Sequence, residues 1–144
     1  MTRFSFLVTL TAGGCMTRSR SAVLEVVEKS EVPLSASEVF KSIEISLDLA
    51  TVYRSLIYFE DRGLMESFSF TCSEKRTERY YYHRREPHEH FFHCEGCHRF
   101  IDLGECRIDD LLSGMEKDYG VHIHTHTLYF TGLCGACSAV RVKQ

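Results

Sequence analysis

Asp48-Leu-Ala-Thr-Val-Tyr-Arg-Ser-Leu-Ile-Tyr-Phe59, followed by Gly63, is the stretch from which the fold of this chain is read. Asp48 is a helix-capping residue, and Leu49, Val52, Leu56 and Phe59 fall on one helical stripe while Ala50, Thr51, Arg54 and Tyr58 face away. Upstream, Ser35-Ala-Ser-Glu38 has the spacing of a capping box ahead of Val39 and Phe40, which starts a second helix. Earlier still, Thr17 caps a helix whose Val23, Leu24, Val26 and Val27 recur at helical spacing, with Arg18 and Arg20 in its first turn. Gly13-Gly14 separates it from a leading apolar segment. Downstream, the β-prone runs Glu66–Thr71 and Glu78–His83 flank the polar Cys72-Ser-Glu-Lys-Arg-Thr77, which makes a hairpin. Three helices and a hairpin with Lys75, Arg76 and Arg79 at or near its tip predict a winged helix-turn-helix whose third helix enters the DNA major groove. A small α+β domain with solvated surface charge is the other reading of this pattern.

Charge and chemistry change along the chain. Residues 1–85 carry 12 Lys/Arg against 11 Asp/Glu, and residues 86–144 carry 5 against 9, so the halves stand at +1 and −4. Seven of the eight histidines and five of the seven cysteines lie in the second half. The expected organisation is α+β: a winged-helix DNA-binding domain over 1–84, a hinge at 85–87, and a small α/β dimerisation domain with a structural zinc over 88–144. Neither half is long enough to bury a generous core alone, so a metal staple or a second subunit is expected. The leading segment has one charge before Arg18 and no small-residue cleavage pattern, which argues against a signal peptide; no transmembrane run appears. A cytoplasmic location is therefore expected, where cysteines serve as metal ligands more readily than as disulfides.

In the second half the pattern predicts strands at His90–Cys94 and Arg99–Leu103, a helix over about Arg107–Tyr119 stopped by Gly120, and a long strand over Val121–Thr131. Alternation along that last strand puts His122, His124 and His126 on one face with Leu128 and Phe130.

Cys94-Glu-Gly-Cys97 and Cys134-Gly-Ala-Cys137 are two knuckles of two thiols each. Four sulfurs around tetrahedral Zn²⁺ form a closed structural site with no open position for catalysis. A redox pair is the competing reading, weakened by the presence of two such pairs without a βαβ pattern. The 36 residues between the pairs exceed the usual ribbon gap of roughly 15–20, so the intervening strands and helix must bring the knuckles together. Cys15, Cys72 and Cys106 read as ordinary thiols. Just before the first knuckle, His88-Glu89-His90 places both imidazoles on one side of an extended segment and Glu89 on the other. Asp109 and His126 complete a three-histidine, one-carboxylate set, which accommodates Fe²⁺, Mn²⁺, Co²⁺, Ni²⁺ or Zn²⁺. For each histidine taken singly, a solvated surface position is the alternative.

These segments together resemble the ferric uptake regulator superfamily. The resemblance is carried by Thr17-Arg-Ser-Arg20 with Ala22-Val-Leu-Glu25, Leu34-Ser-Ala-Ser-Glu38, Ala50-Thr-Val-Tyr-Arg54 with Gly63-Leu64, His88-Glu-His90, and the two knuckles, in family order across nearly the whole chain. It implies a homodimeric repressor that binds operator DNA when a divalent metal, Fe²⁺, Zn²⁺ or Mn²⁺, fills its sensory site, and so controls metal-homeostasis genes. It implies that Tyr53 and Arg54, with Thr51 beside them, meet DNA, that Thr17 and Arg20 lie near phosphates, and that Lys75 and Arg76 act from the wing. For Tyr53, core packing is the alternative; for Thr17 and Arg20, a helix cap and a solvated charge.

One family metal site carries over onto His88, His90, Asp109 and His126, with Asp109 where Glu is commoner. The other, at the hinge, is damaged: Pro33, Tyr82 and Phe91 stand at its ligand positions and Glu89 alone survives. His83, Glu78, Cys72 or His93 are the candidates to rebuild it. Phe91 argues against a peroxide-sensing relative and leaves the iron and zinc branches open.

Two readings from other classes compete. A zinc hydrolase or nucleobase deaminase would use Glu89 as general acid/base, but it needs an open zinc, whereas the knuckles suggest a closed one; the chain is expected not to be an enzyme. A zinc-stabilised protein-interaction module without DNA binding would suit the acidic second half.

Overall fold

The computed structural model describes residues 15–71 and 76–141. The leading apolar segment with its Gly13-Gly14 break, and Cys72 and Lys75 at the hairpin tip, lie outside the described residues.

Helices α1 (Arg18–Lys29), α2 (Ala36–Ser42) and α3 (Leu49–Asp61) begin at the caps read from sequence. Thr17 accepts from the Arg20 amide, Asp48 accepts from the Thr51 amide, and Ser35 and Glu38 close a reciprocal capping box. Each cap satisfies an amide that helix geometry leaves free, which is why a helix start is so legible locally. A two-residue strand β1 (Leu34–Ser35) precedes α2, and the hairpin β2 (Met65–Thr71) and β3 (Thr77–His83) follows α3. The sheet order is β1-β3-β2, all antiparallel.

Val23, Val27, Ala36, Val39, Val52, Leu56, Phe59, Met65 and Tyr81 form one buried cluster drawn from all three helices and the hairpin. The predicted α3 stripe is correct from Val52 to Phe59, but its first member, Leu49, is exposed and Ser55 is buried in the turn between. Arg79, predicted near the wing tip, braces the hairpin onto α3 instead: its Nη2 lies 2.7 and 2.8 Å from the two Glu60 carboxylate oxygens, and its Nε donates to Ser67 Oγ.

The second sheet has the order β5-β4-β6, from β4 (Glu89–Cys94), β5 (Phe100–Glu105) and β6 (Tyr129–Gly132). β4 and β5 are antiparallel, with a register shift between Glu89 and Phe91; β4 and β6 are parallel. Gly104 takes φ +78° opposite that shift, a conformation costly for residues with a Cβ. Helix α4 (Asp109–Tyr119) ends at left-handed Gly120, as expected. The long final strand is not formed: only Tyr129–Gly132 pairs, and 121–128 runs without a ladder. A further helix, α5 (Gly135–Arg141), starts inside the second knuckle, where the sequence pattern assigns no element.

Two features stand out in this half. α4 contains no buried residue, and Leu111, Met115 and Tyr119, spaced every fourth position along one face, are all exposed. The two sheets meet through aromatic rings: Phe68 stacks on Tyr129 (centroids 5.9 Å, 18°), Phe70 lies 4.4 Å from the His93 ring, and Tyr80 meets Phe100 edge-on at 4.8 Å.

Candidate metal centres and nucleic-acid face

The parallel register of β4 on β6 pairs Cys94 with Gly132 and so brings the knuckles together across the sequence gap. Cys94, Cys97, Cys134 and Cys137 place their sulfurs within 4.8 Å of one another. The Sγ atoms of Cys97 and Cys134 are 3.9 Å apart, close to the edge of about 3.8 Å that a tetrahedron with zinc–sulfur bonds of about 2.3 Å requires. Gly96 is where the knuckles touch: a Cβ there would stand 2.9 Å from Cys137 Cβ and Sγ.

The electrostatics favour a cation at the centre. The Cys134 amide, 3.3 Å from Cys94 Sγ, and the Cys97 amide lower the Cys94 pKa to about 6. Arg99 Nε, 3.4 Å from Cys97 Sγ, holds that thiol low as well. Cys137, by contrast, is pushed up to about 12 by its bonds to the other sulfurs, Cys134 first. Four thiols this close cannot all ionise against one another, and a divalent ion removes the conflict. The donor set and its spacing fit structural zinc.

The second cluster forms at the other end of β4. His88 and His90 lie on one side of the segment, as alternation predicts, with ring centroids 5.0 Å apart. Glu89 points elsewhere and pairs with Arg85 Nη1 at 3.1 Å. His126 reaches the cluster from the 121–128 segment: its Nε2 is 2.9 Å from His88 Nε2 and 3.2 Å from His90 Nε2. His90 Nδ1 donates to the Leu128 carbonyl at 3.1 Å, which leaves the Nε2 lone pair of the neutral ring aimed into the cluster. Burial, then the charges of His88 and His126, hold the His90 pKa below the ordinary imidazole value.

The fourth group the structure brings here is Cys106, whose Sγ is 3.7 Å from His126 Nε2. Asp109, expected from sequence, is exposed at the start of α4 and is not part of this group. Sequence reasoning set Cys106 aside as an ordinary thiol. The missing signal is register: the Cys106 amide donates to the His88 carbonyl at 3.0 Å, one step beyond the Glu89–Glu105 pair.

A model described as the ferric uptake regulator family matches residues 11–131. This chain belongs to that family. The ferric uptake regulation protein of Vibrio cholerae serotype O1 is 32% identical over 129 residues, covering 87% of this chain and 83% of the relative. That of Neisseria gonorrhoeae is 28% identical over 144 residues, covering 96% and 97%. A crystal structure of the Vibrio cholerae ferric uptake regulator superposes with a TM-score of 0.70 at 27% identity, covering 83% of this chain and 92% of that one. Membership in a family of metal-responsive regulators disfavours the hydrolase or deaminase reading.

The positions at which the resemblance leads one to expect hinge ligands carry an aromatic contact and a buried proline. Tyr82 and Phe91, which stand at two expected ligand positions, pack edge-on against each other at 5.2 Å, and Pro33 is fully buried. The Tyr82 hydroxyl donates to Glu66 at 2.7 Å. The replacement candidates do not gather: His83 lies 3.6 Å from Glu28, Glu89 is held by Arg85, and His93 is buried between Phe70 and Phe100. Burial, followed by the His98 charge, lowers the His93 pKa. Glu78 sits on β3 beside the Tyr80 hydroxyl, at 3.5 Å. Among the described residues, the only groups spaced to hold an ion are the two clusters above.

On α3, Tyr53 and Arg54 both face outward, Tyr53 at 43% exposure, which decides against core packing for its ring. Arg54 Nη2 donates to Thr51 Oγ1 at 3.0 Å, and Thr51 Oγ1 donates to Asp48 at 3.0 Å, so the face is pre-ordered by a chain of hydrogen bonds from the helix cap. Arg20 is engaged otherwise than as a solvated charge: Nη1 donates to the Cys15 carbonyl at 2.7 Å, and its guanidinium lies 3.6 Å from the Tyr58 ring centroid. Arg62 lies at the same distance from that centroid, necessarily on the other face, so Tyr58 is clasped between two cations. Thr17 caps α1, and Arg76 follows the undescribed tip.

Proposed function

We propose that this chain is a metal-dependent transcriptional repressor that binds operator DNA as a homodimer and governs metal-homeostasis genes. The observation that carries the reading is the convergence of three imidazole Nε2 atoms on one point, in a chain whose α3 presents an ordered Thr51-Tyr53-Arg54 face. In this reading residues 1–84 bind DNA, 85–87 form the hinge, and 88–144 bind metal and dimerise. Cys94, Cys97, Cys134 and Cys137 hold structural zinc, and His88, His90 and His126 hold the sensory ion. The aromatic contact of Tyr82 on Phe91 takes the place of the hinge ligands, so ion occupancy is sensed at the histidine cluster alone. No described helix is long and apolar enough to cross a membrane, in keeping with a cytoplasmic regulator.

Selection from a random duplex library, with metal-loaded and chelated protein, tests the proposal. Metal-loaded protein should enrich an inverted repeat, because a two-fold dimer reads two half-sites. Enrichment that ignores chelation, or no enrichment at all, would reject it. On the selected duplex, Arg54→Ala should cost about 1–3 kcal/mol and relax preference at one base position, while loss of Lys75 or Arg76 should weaken all sequences alike and lower the salt slope by about one unit.

α4 supports the dimer in this reading. An amphipathic helix with an apolar stripe and nothing buried gains stability only when a partner covers the stripe. Ile101, Leu103, Tyr129 and Phe130 are exposed as well, and they supply an apolar sheet surface. A second copy presents the same surface, which suits an isologous contact. Met115→Asp enters such an interface twice, so at about 1.5–3 kcal/mol per lost apolar side chain the dimer dissociation constant should rise about 10²- to 10⁴-fold. Analytical ultracentrifugation across concentration reads this directly; an unchanged dimer would place the interface elsewhere.

A further inference from the structure

We infer that Cys106 is the fourth ligand of the sensory site, which makes that site a three-nitrogen, one-sulfur set suited to zinc. The inference rests on the sensory role proposed for the histidines and names the ion they sense.

The geometry is that of a tetrahedral site. With metal–nitrogen bonds of about 2.0–2.1 Å and a metal–sulfur bond of about 2.3 Å, ligand atoms stand about 3.3 Å apart for nitrogen pairs and about 3.6 Å for nitrogen and sulfur. The cluster shows 2.9 and 3.2 Å between imidazole nitrogens and 3.7 Å between Cys106 Sγ and His126 Nε2. All four donor atoms lie within 4.8 Å of one another. Cys106 is held there by backbone, because its amide bonds the His88 carbonyl at 3.0 Å and so locks the thiol to the strand end that presents the histidines. It is half-buried, as are His88 and His126, and His90 is buried, so the four form a sheltered cluster rather than a surface scatter.

The chemistry follows from the donor. A carboxylate in fourth place would keep Mn²⁺ and Fe²⁺ competitive, whereas a thiolate is soft and, with imidazoles in a tetrahedron, selects zinc. Binding displaces the thiol proton to solvent, one per ion. Asp109 is left at the first turn of α4, where a carboxylate favours the positive end of the helix dipole.

The test uses full-length protein retaining its Cys₄ zinc, with Co²⁺ as a spectroscopic probe of the second site. One equivalent of Co²⁺ should give a thiolate-to-cobalt charge-transfer band that is absent from Cys106→Ser and present in Asp109→Ala. Zinc should abolish the band at stoichiometric addition, and Mn²⁺ should not. Cys106→Ser should also lower zinc affinity at this site by more than the roughly 10- to 100-fold typical of losing an outer-shell partner. Peptide mapping of alkylation should show zinc protecting Cys106 in the parent chain and failing to protect it in His126→Ala. Retention of one zinc per chain by Cys106→Ser after mild chelation establishes that the fold is intact. A band that survives in Cys106→Ser, or disappears in Asp109→Ala, overturns the assignment. Metal-dependent DNA binding by the parent chain is scored separately: if it persists while the band survives in Cys106→Ser, the ligand assignment alone falls. If DNA binding ignores metal while the band behaves as expected, the ligand assignment stands and the regulator reading falls.

Discussion

Cys97→Ser is expected to abolish tight zinc retention and leave the second sheet unable to form. Apparent binding free energies of structural zinc sites run about 10–16 kcal/mol near neutral pH, and that energy is folding energy where the site does not exist in the unfolded chain. Here the dependence is direct. β6 joins β4 only through Phe91–Cys94 and Tyr129–Gly132, beside the knuckles, and Cys94 is the one knuckle sulfur fully buried. The core of the first half draws nothing from beyond Tyr81, so it should persist. Elemental analysis of protein purified under reducing conditions should find one zinc per chain in the parent and none tightly held in Cys97→Ser, whose amide protection should be lost beyond Arg85. A variant that keeps its zinc and its second sheet would show the Cys₄ site to be incidental.

His126→Ala is expected to lower metal-stimulated DNA binding roughly 5- to 150-fold at a fixed subsaturating metal level, the span of typical coupling free energies of about 1–3 kcal/mol. His126 Nε2 contacts both His88 and His90, so truncation removes the atom around which the cluster is arranged. Its position also explains why the effect travels. His126 leads through Leu128, which anchors His90, to Tyr129, which stacks on Phe68 of the hairpin. In the proposed mechanism an ion held by His126 would act on a segment that ends in the contact between the two sheets, and only a difference in affinity between DNA-competent and incompetent states would produce regulation. His122→Ala, at an exposed position away from the cluster, should leave the response unchanged. Full metal response in His126→Ala would move sensing elsewhere.

The parts of this molecule legible in its sequence are those fixed by short-range chemistry. Thr17, Ser35 and Asp48 mark helix starts because each cap bonds an amide three residues on. The four cysteines are legible as one cluster because two-residue spacing suits a knuckle whatever lies between the pairs. What failed depends on pairing across distance. Alternation over Val121–Thr131 is real, yet without a neighbouring strand for 121–128 it cannot become a ladder. Cys106 had no nearby cysteine to mark it, and only the β4–β5 register, which sets its amide on His88, reveals its place. His93 resembled a ligand by its neighbours, but its odd spacing from His90 puts it on the opposite face of β4, against Phe70. The contact between Tyr82 and Phe91, two positions where the resemblance places hinge ligands, joins β3 to β4 and is a tertiary fact that no local pattern announces.

The central claim, that the histidine cluster and the DNA face share one free-energy coupling, is tested most directly by measuring zinc affinity at the cluster with and without the selected duplex. Linkage requires that DNA tighten zinc by the factor by which zinc tightens DNA. The account predicts equal factors, both within the roughly 5- to 150-fold range and both lost in His126→Ala. Zinc affinity that is the same with and without DNA would contradict it.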